Sequence, residues 1–289
     1  MSKRFLPSCV LAVSFFISGM NNNACGTETI YYPKSTAKID PHIDYVLEVL
    51  TAALQIFPGK YQPTPSNISY PQTRAINETI SPSGDIDLVW TMSTNERESK
   101  LIPVRIPLDK GMLGWRISFV SSKNKEVLKP VKSRNDLKKF DAGQVHDWPD
   151  TDILQSNKLN VVTSSTYEAL FKMLEVNRFD YFPRAIFEIW GEQASHSDMR
   201  IAIDDHIALH YPTAYYFFVS PRRPGLAIDL KNGMEHILAN GQFESIFQKY
   251  HKESIHKADI RHRTIIELSN PLLDSNKLPL NRPELWFRP

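Results

Sequence analysis

Apolar and polar residues alternate through "DIDLVWTM" (85–92), which puts Ile86, Leu88, Trp90 and Met92 on one face and predicts a strand. Earlier, Asp40-Pro41 supplies an N-cap and a proline for the first helical position. The helix predicted from there carries Leu47, Leu50, Leu54 and Phe57 at helical spacing and stops at Pro58-Gly59. Thr29 to Tyr32 is a short β-prone run, and Pro63 to Pro82 is a proline-spotted stretch without a period. "IPVRIPL" (102–108) and "GWRISFV" (114–120) read as extended, the first a poor central strand because of its prolines.

After Ser121 strands and helices alternate. "FDAGQVHDWPDTDILQSN" reads as a loop leading into a helix near Pro149, "LNVVTSS" as a strand, "TYEALFKMLEVN" as a helix and "FDYFP" as a strand. "YYFFVS" (215–220) is a further strand, and "GLAIDLKNGMEHILANGQFESIFQKY" two helices broken near Asn240-Gly241. This rhythm predicts an α/β fold with mostly parallel sheets. The tail from Asp259 to Pro289 shows no period and reads as irregular. "NRFDYFPR" (177–184) poses a question within this pattern, because Asp180 and Arg184 stand near either end of a core strand, and charges are rarely buried without partners.

The 289 residues suffice for two domains, and 42% hydrophobic with 23% charged residues describes an ordinary globular chain. A formal charge of +2 gives no basic field, so no nucleic-acid partner is expected. Lys3 and Arg4, the apolar run from Phe5 to Met20, and the small pair Ala24 and Gly26 read as a cleaved signal peptide over 1–26. Cleavage takes the formal charge to zero and removes both cysteines, Cys9 and Cys25. The alternative, lipidation of Cys25, lacks the usual apolar residue three positions upstream, which is Asn22.

No GxGxxG, P-loop, GxSxG, HExxH or zinc-type cysteine pair occurs, and neither a cofactor nor a metal is expected. Three places gather polar groups where strands end and helices begin, the edge at which open α/β sheets bind ligands. "STNER" (93–97) offers Ser93, Thr94 and Arg97, an arginine that opposes the helix dipole unless an anion faces it. "GQVHDWPD" (143–150) offers backbone amides with His146, Asp147 and Trp148, and the third place is Arg184.

In order and spacing these segments resemble the periplasmic solute-binding proteins of the two-lobed type II fold, which include the amino-acid-binding components of ABC transporters. The resemblance covers roughly residues 28–253. "DIDLVWTMSTNERESKL" is similar to that family's strand and Thr-x-x-Arg segment, whose arginine grips a substrate carboxylate, and "DLKKFDAGQVHDWPDTDIL" to the strand–loop–helix after its hinge. "SSTYEALFKMLEVNRFDYF" and "LKNGMEHILANGQFESIFQKY" resemble the end of the second lobe and the closing helix pair of the first. Two positions depart from the pattern: Met92 stands where a hydroxyl is usual, and Ala185 where an Asp receives the substrate ammonium.

The resemblance implies a lobe of about 28–115 with 216–253, a second lobe of 121–210, crossings near 116–120 and 211–215, and a tail, 254–289, outside the pattern. It implies a periplasmic monomer that captures a small ligand by closure and presents it to an ABC permease. Alternatives are a ligand sensor for a membrane receptor, or a lyase-like enzyme using His146 or Asp147. The candidate binding residues are Tyr32, Ser93, Thr94, Arg97, His146, Asp147, Trp148 and Arg184. Arg97 and Arg184 facing one pocket favour an anionic or amino-acid-like ligand, unless Arg184 pairs with Glu188 instead.

Overall fold

A computed structural model describes Met1 and residues 26–34 and 41–289. The apolar leader with Cys9 and Cys25, and the cap at Asp40, lie outside the described residues. The first part of the chain forms β1 (Glu28–Lys34), α1 (Pro41–Leu54), β2 (Tyr61–Ser69), α2 (Gln72–Ile80), β3 (Leu88–Met92), α3 (Asn95–Lys100) and β4 (Ile102–Val104). It continues with β5 (Trp115–Ser121), α4 (Arg134–Leu137), β6 (Asp141–Val145), α5 (Pro149–Ser156), β7 (Asn160–Ser164), α6 (Tyr167–Glu175), β8 (Tyr181–Ala185) and α7 (Ile189–Ser195). The remainder is β9 (Ile201–Ile203), β10 (Ile207–His210), β11 (Tyr215–Val219), α8 (Pro224–Ala239), α9 (Gln242–Ala258) and β12 (Thr264–Glu267).

These elements make two lobes. In the first, β11 lies between β3 and β4, antiparallel to both. β1 and β2 form a separate parallel pair, joined to β3 at Asp87, whose amide donates to the Tyr31 carbonyl (2.8 Å) while its carboxylate accepts the Tyr31 amide (3.0 Å). Pro63 and Pro65 are tolerated in β2 because it has a strand on only one side. α1 and α8 pack very closely: a Cβ on Gly233 would come 1.9 Å from the Ala53 carbonyl oxygen.

The second lobe is a seven-stranded sheet in the order β12-β10-β5-β8-β6-β7, with β9 also on β5. Its pairings give six strands one direction and β5 the other. Every residue of β5 and β8 is buried, since both faces are covered. Phe119 and Phe182 meet Phe171 of α6 on one face, while Val120 and Tyr181 join Ile153 and Leu154 of α5 on the other.

Five expectations need correction. The strand at 141–145 replaces the expected loop, and α2 occupies part of the proline-spotted stretch. Leu50 and Leu54 of α1 are buried as expected, but the buried face also takes Tyr45, Val46, Val49 and Ala53, Leu47 is only half-buried, and Phe57 lies beyond the helix end. The first crossing between lobes lies before 116–120, which is strand interior: Leu108 donates to the Tyr215 carbonyl (2.8 Å), and the Gly114 carbonyl accepts from Tyr211 (3.2 Å). The tail is not wholly irregular, because β12 pairs in parallel with β10.

Candidate ligand-binding site

The C-terminal end of β3 and those of β6 and β8 converge, so the expected polar segments share one region between the lobes. Contacts across it are direct. Thr73 of α2 donates to Asp147 (2.9 Å), and the ring of His42 on α1 stacks on Phe187 after β8, with centroids 4.6 Å apart.

On the first lobe, Thr94 is in extended conformation and its hydroxyl accepts the Arg97 amide (3.1 Å), the bond expected of an N-cap. The buried Ser93 hydroxyl is engaged within this lobe, donating to Glu98 (2.7 Å), which also binds Arg105 (2.7 Å). Arg97 folds back over the end of β3: Nη1 donates to the Thr91 hydroxyl (2.8 Å) and the Met92 carbonyl (2.9 Å). The hydroxyl missing at Met92 is thus offset by Thr91 and by backbone. Among the described residues, Nε and Nη2 of Arg97 have no hydrogen-bond partner. Burial lowers its pKa, and the carboxylates of Glu96, Asp150 and Asp147 oppose that shift. Two of those three belong to the other lobe, so Arg97 faces an acidic wall.

Tyr32 is buried against Trp90 of β3, ring centroids 5.6 Å apart. His146 and Asp147 are exposed. The His146 ring nitrogen Nδ1 lies 3.3 Å from the Ser164 carbonyl, and Asp147 is held by Thr73. Trp148 precedes Pro149, the first residue of α5, and is half-buried.

Arg184 does not project bare into the cleft. Its Nε lies 2.9 and 2.8 Å from the two Glu192 oxygens and its Nη2 2.6 Å from one of them. Glu188 is 3.1 Å away, and the guanidinium carbon lies 4.8 Å from the centre of the Trp148 ring. Burial works against its charge, and the carboxylates of Glu188 and Glu192 outweigh burial, so its pKa is raised. Two arginines repelling each other across an empty pocket is therefore the wrong picture; one of them is already neutralised twice. Trp148 is the face on which that arginine rests.

Arg116 of β5, unforeseen in the sequence, completes the arrangement. It is buried and reaches Asp150 (2.7 Å), Glu188 (3.5 Å) and the Tyr211 hydroxyl (2.9 Å), while Tyr211 also donates to Asp150. Asp150, Arg116, Glu188, Arg184 and Glu192 form an alternating chain with one carboxylate in excess. The departure at Ala185 is compensated here, since acidic charge arrives from Glu188 and from the helix beginning at Ile189. The only sequence signal was the spacing of Glu188 and Glu192, four and eight residues after Arg184. No group of three His, Cys, Asp or Glu able to hold a metal ion occurs among the described residues.

No family model matches the chain, and no curated protein matches it. Solved structures do match its fold. A periplasmic binding protein of Salmonella typhimurium with high arginine specificity is 16% identical, covering 78% of this chain and 99% of its own, with a TM-score of 0.57. The substrate-binding protein of an amino acid ABC transporter is 11% identical, covering 78% and 100%, with a TM-score of 0.55. A histidine kinase sensor domain with similarity to periplasmic binding proteins is 14% identical, covering 78% and 95%, with a TM-score of 0.56. The chain thus has the two-lobed α/β fold of the type II periplasmic binding proteins, and at these identities the likeness is one of fold.

Proposed function

We propose that the protein is an extracytoplasmic solute-binding protein that captures a small, amino-acid-like ligand between its lobes and delivers it to an ABC transporter. The observation that carries this reading is Arg97: a half-buried guanidinium just past a strand end, anchored among the described residues through Nη1, with Nε and Nη2 left for an acceptor. A carboxylate suits that open edge. The acidic side of the cleft, Asp147 and the chain from Asp150 to Glu192, suits an ammonium group. A zwitterion therefore fits better than the purely anionic ligand that an unpaired Arg184 would have favoured.

Ligand contacts from both lobes would stabilise the shut form, which the partner recognises. A sensor role is the second reading, and the likeness to a kinase sensor domain supports it equally well as fold. A lyase-like role finds little support, because the His146 ring leans on a carbonyl, which does not orient it as a carboxylate partner would.

The test is native mass spectrometry of protein purified mildly from a periplasmic extract. A single bound mass that is released on unfolding and identified as an amino acid or a close relative is expected. Recovery of a converted product after incubation with that compound would favour the enzyme.

A further inference from the structure

The tail beyond α9 touches both lobes, and its path follows the crossing between them. β12 extends the second lobe's sheet, and Leu268 donates to the His210 carbonyl (2.8 Å). Ser269 and Asn157 exchange bonds: the Ser269 amide donates to Asn157 Oδ1 (3.0 Å) and Asn157 Nδ2 to the Ser269 carbonyl (2.7 Å). Asn270 then reaches the carbonyl of Pro212, on the second crossing (2.9 Å).

Beyond this point most anchors are on the first lobe and on the segment that leads into the first crossing, although the Phe287 ring also lies edge-on to Trp115 of β5 (6.3 Å) and Leu272 packs partly on the second lobe's core. The Leu272 carbonyl accepts the amide of Asn95, the first residue of α3 (2.8 Å), and the Asn95 side chain accepts from Asp274 (3.3 Å) and Lys277 (3.0 Å). Leu273 and Leu278 enter the core with Val89 of β3 and Phe218 of β11. Arg282 grips Glu235 of α8 through two bonds (2.7 and 3.0 Å). Trp286 covers Gly111 so closely that a Cβ there would lie 2.6 Å from its ring, and Phe287 donates to the Lys110 carbonyl (2.6 Å).

We propose that residues 264–289 are a third crossing, a strap that limits how far the cleft opens and holds the α3 terminus from which Arg97 projects. Two crossings alone act as a hinge. A third attachment, fixed to the second lobe by β12 and to the first lobe by apolar and ionic anchors, restricts rotation about them. Because the strap meets α3 at Asn95, two residues before Arg97, it also ties the position of the arginine to the relative position of the lobes.

The test needs no ligand, so failure of the solute-binding reading would leave it standing. Spin labels go on exposed positions of opposite lobes, Val176→Cys and Ile228→Cys, with Cys9 and Cys25 changed to serine. A specific-protease sequence is inserted between Asn270 and Pro271, after the second-lobe anchors and before the first-lobe ones, and cut after folding. Cutting should shift the inter-lobe distance distribution to longer values and broaden it. It should also speed hydrogen exchange of the Asn95 amide by at least about tenfold. An unchanged distribution in the cut protein would overturn the proposal. If the insertion prevents folding, Leu273→Ala with Leu278→Ala and Arg282→Ala weakens the first-lobe anchors themselves and must give a shift in the same direction. A tail with a merely structural role would lower the melting temperature and leave the distance alone.

Discussion

The guanidinium of Arg184 meets the carboxylate of Glu192 side-on, with Nε within 2.9 Å of both oxygens and Nη2 2.6 Å from one. Both side chains lie in the wall of the cleft, where removing one partner leaves the other charge buried and uncompensated. Breaking such a pair costs about 3–5 kcal/mol. Arg184→Ala is therefore expected to destabilise the ligand-free protein on that scale in denaturant unfolding. Arg184→Lys should recover only part, because lysine lacks the planar fork. A variant that unfolds normally and fails to bind would return Arg184 to the ligand.

The crossing at Gly114 gives a second test. A Cβ at this position would sit 2.2 Å from the Tyr211 carbonyl oxygen, a backbone atom that cannot step aside without parting the two crossings. Overpacking of this kind costs about 1–3 kcal/mol. Gly114→Ala should lower the melting temperature accordingly, whereas Gly225→Ala, with nothing within 4 Å of the added carbon, should not. Equal effects of the two substitutions would remove the crossing's tightness as the cause.

His251 of α9 lies edge-on to Tyr45, centroids 4.3 Å apart, and is 3% exposed. Burial, with a smaller contribution from His42, lowers its pKa to about 3. The folded imidazole stays neutral where the unfolded one takes a proton, so stability is complete above the ordinary value of 6.5 and falls as pH drops towards 3. At pH 5 the loss is about 2 kcal/mol relative to pH 7.5. His251→Phe should keep that stability in urea unfolding at the two pH values. Buried Asp109, raised to about 7 by desolvation, acts with the opposite sign, losing stability as pH rises from 3.8 through 7. The difference between the two proteins cancels its contribution. Parallel pH profiles in the two proteins would contradict the reading of His251.

Local patterns carried much of this fold. The alternation at 85–92, the cap at Thr94, the proline at 149 and the break at Asn240-Gly241 act within a few residues, and the observed elements begin or end at or near them. β6 was implied by the resemblance but not by the residue pattern, because Gly143 and Gln144 interrupt its apolar run; Gly143 is where the Phe179 ring passes, 2.3 Å from a would-be Cβ. β12 escaped because four residues form a strand only when β10 offers an edge. At the site, Thr94 and Arg97 were legible, since their geometry is set by adjacent backbone. The chain from Asp150 to Glu192 was not: Arg116 and Tyr211 reach it from strands and crossings distant in sequence, and no local spacing announces them.

The central claim concerns the open edge of Arg97, and calorimetric titration with a panel of free amino acids tests it most directly. At least one should bind the wild-type protein with a defined stoichiometry. Charge-assisted hydrogen bonds are worth roughly 1.5–3 kcal/mol, so Arg97→Ala should weaken that affinity about ten- to a hundredfold, and Arg97→Lys should restore part of it. An amino acid that binds wild type and Arg97→Ala equally well would contradict the account.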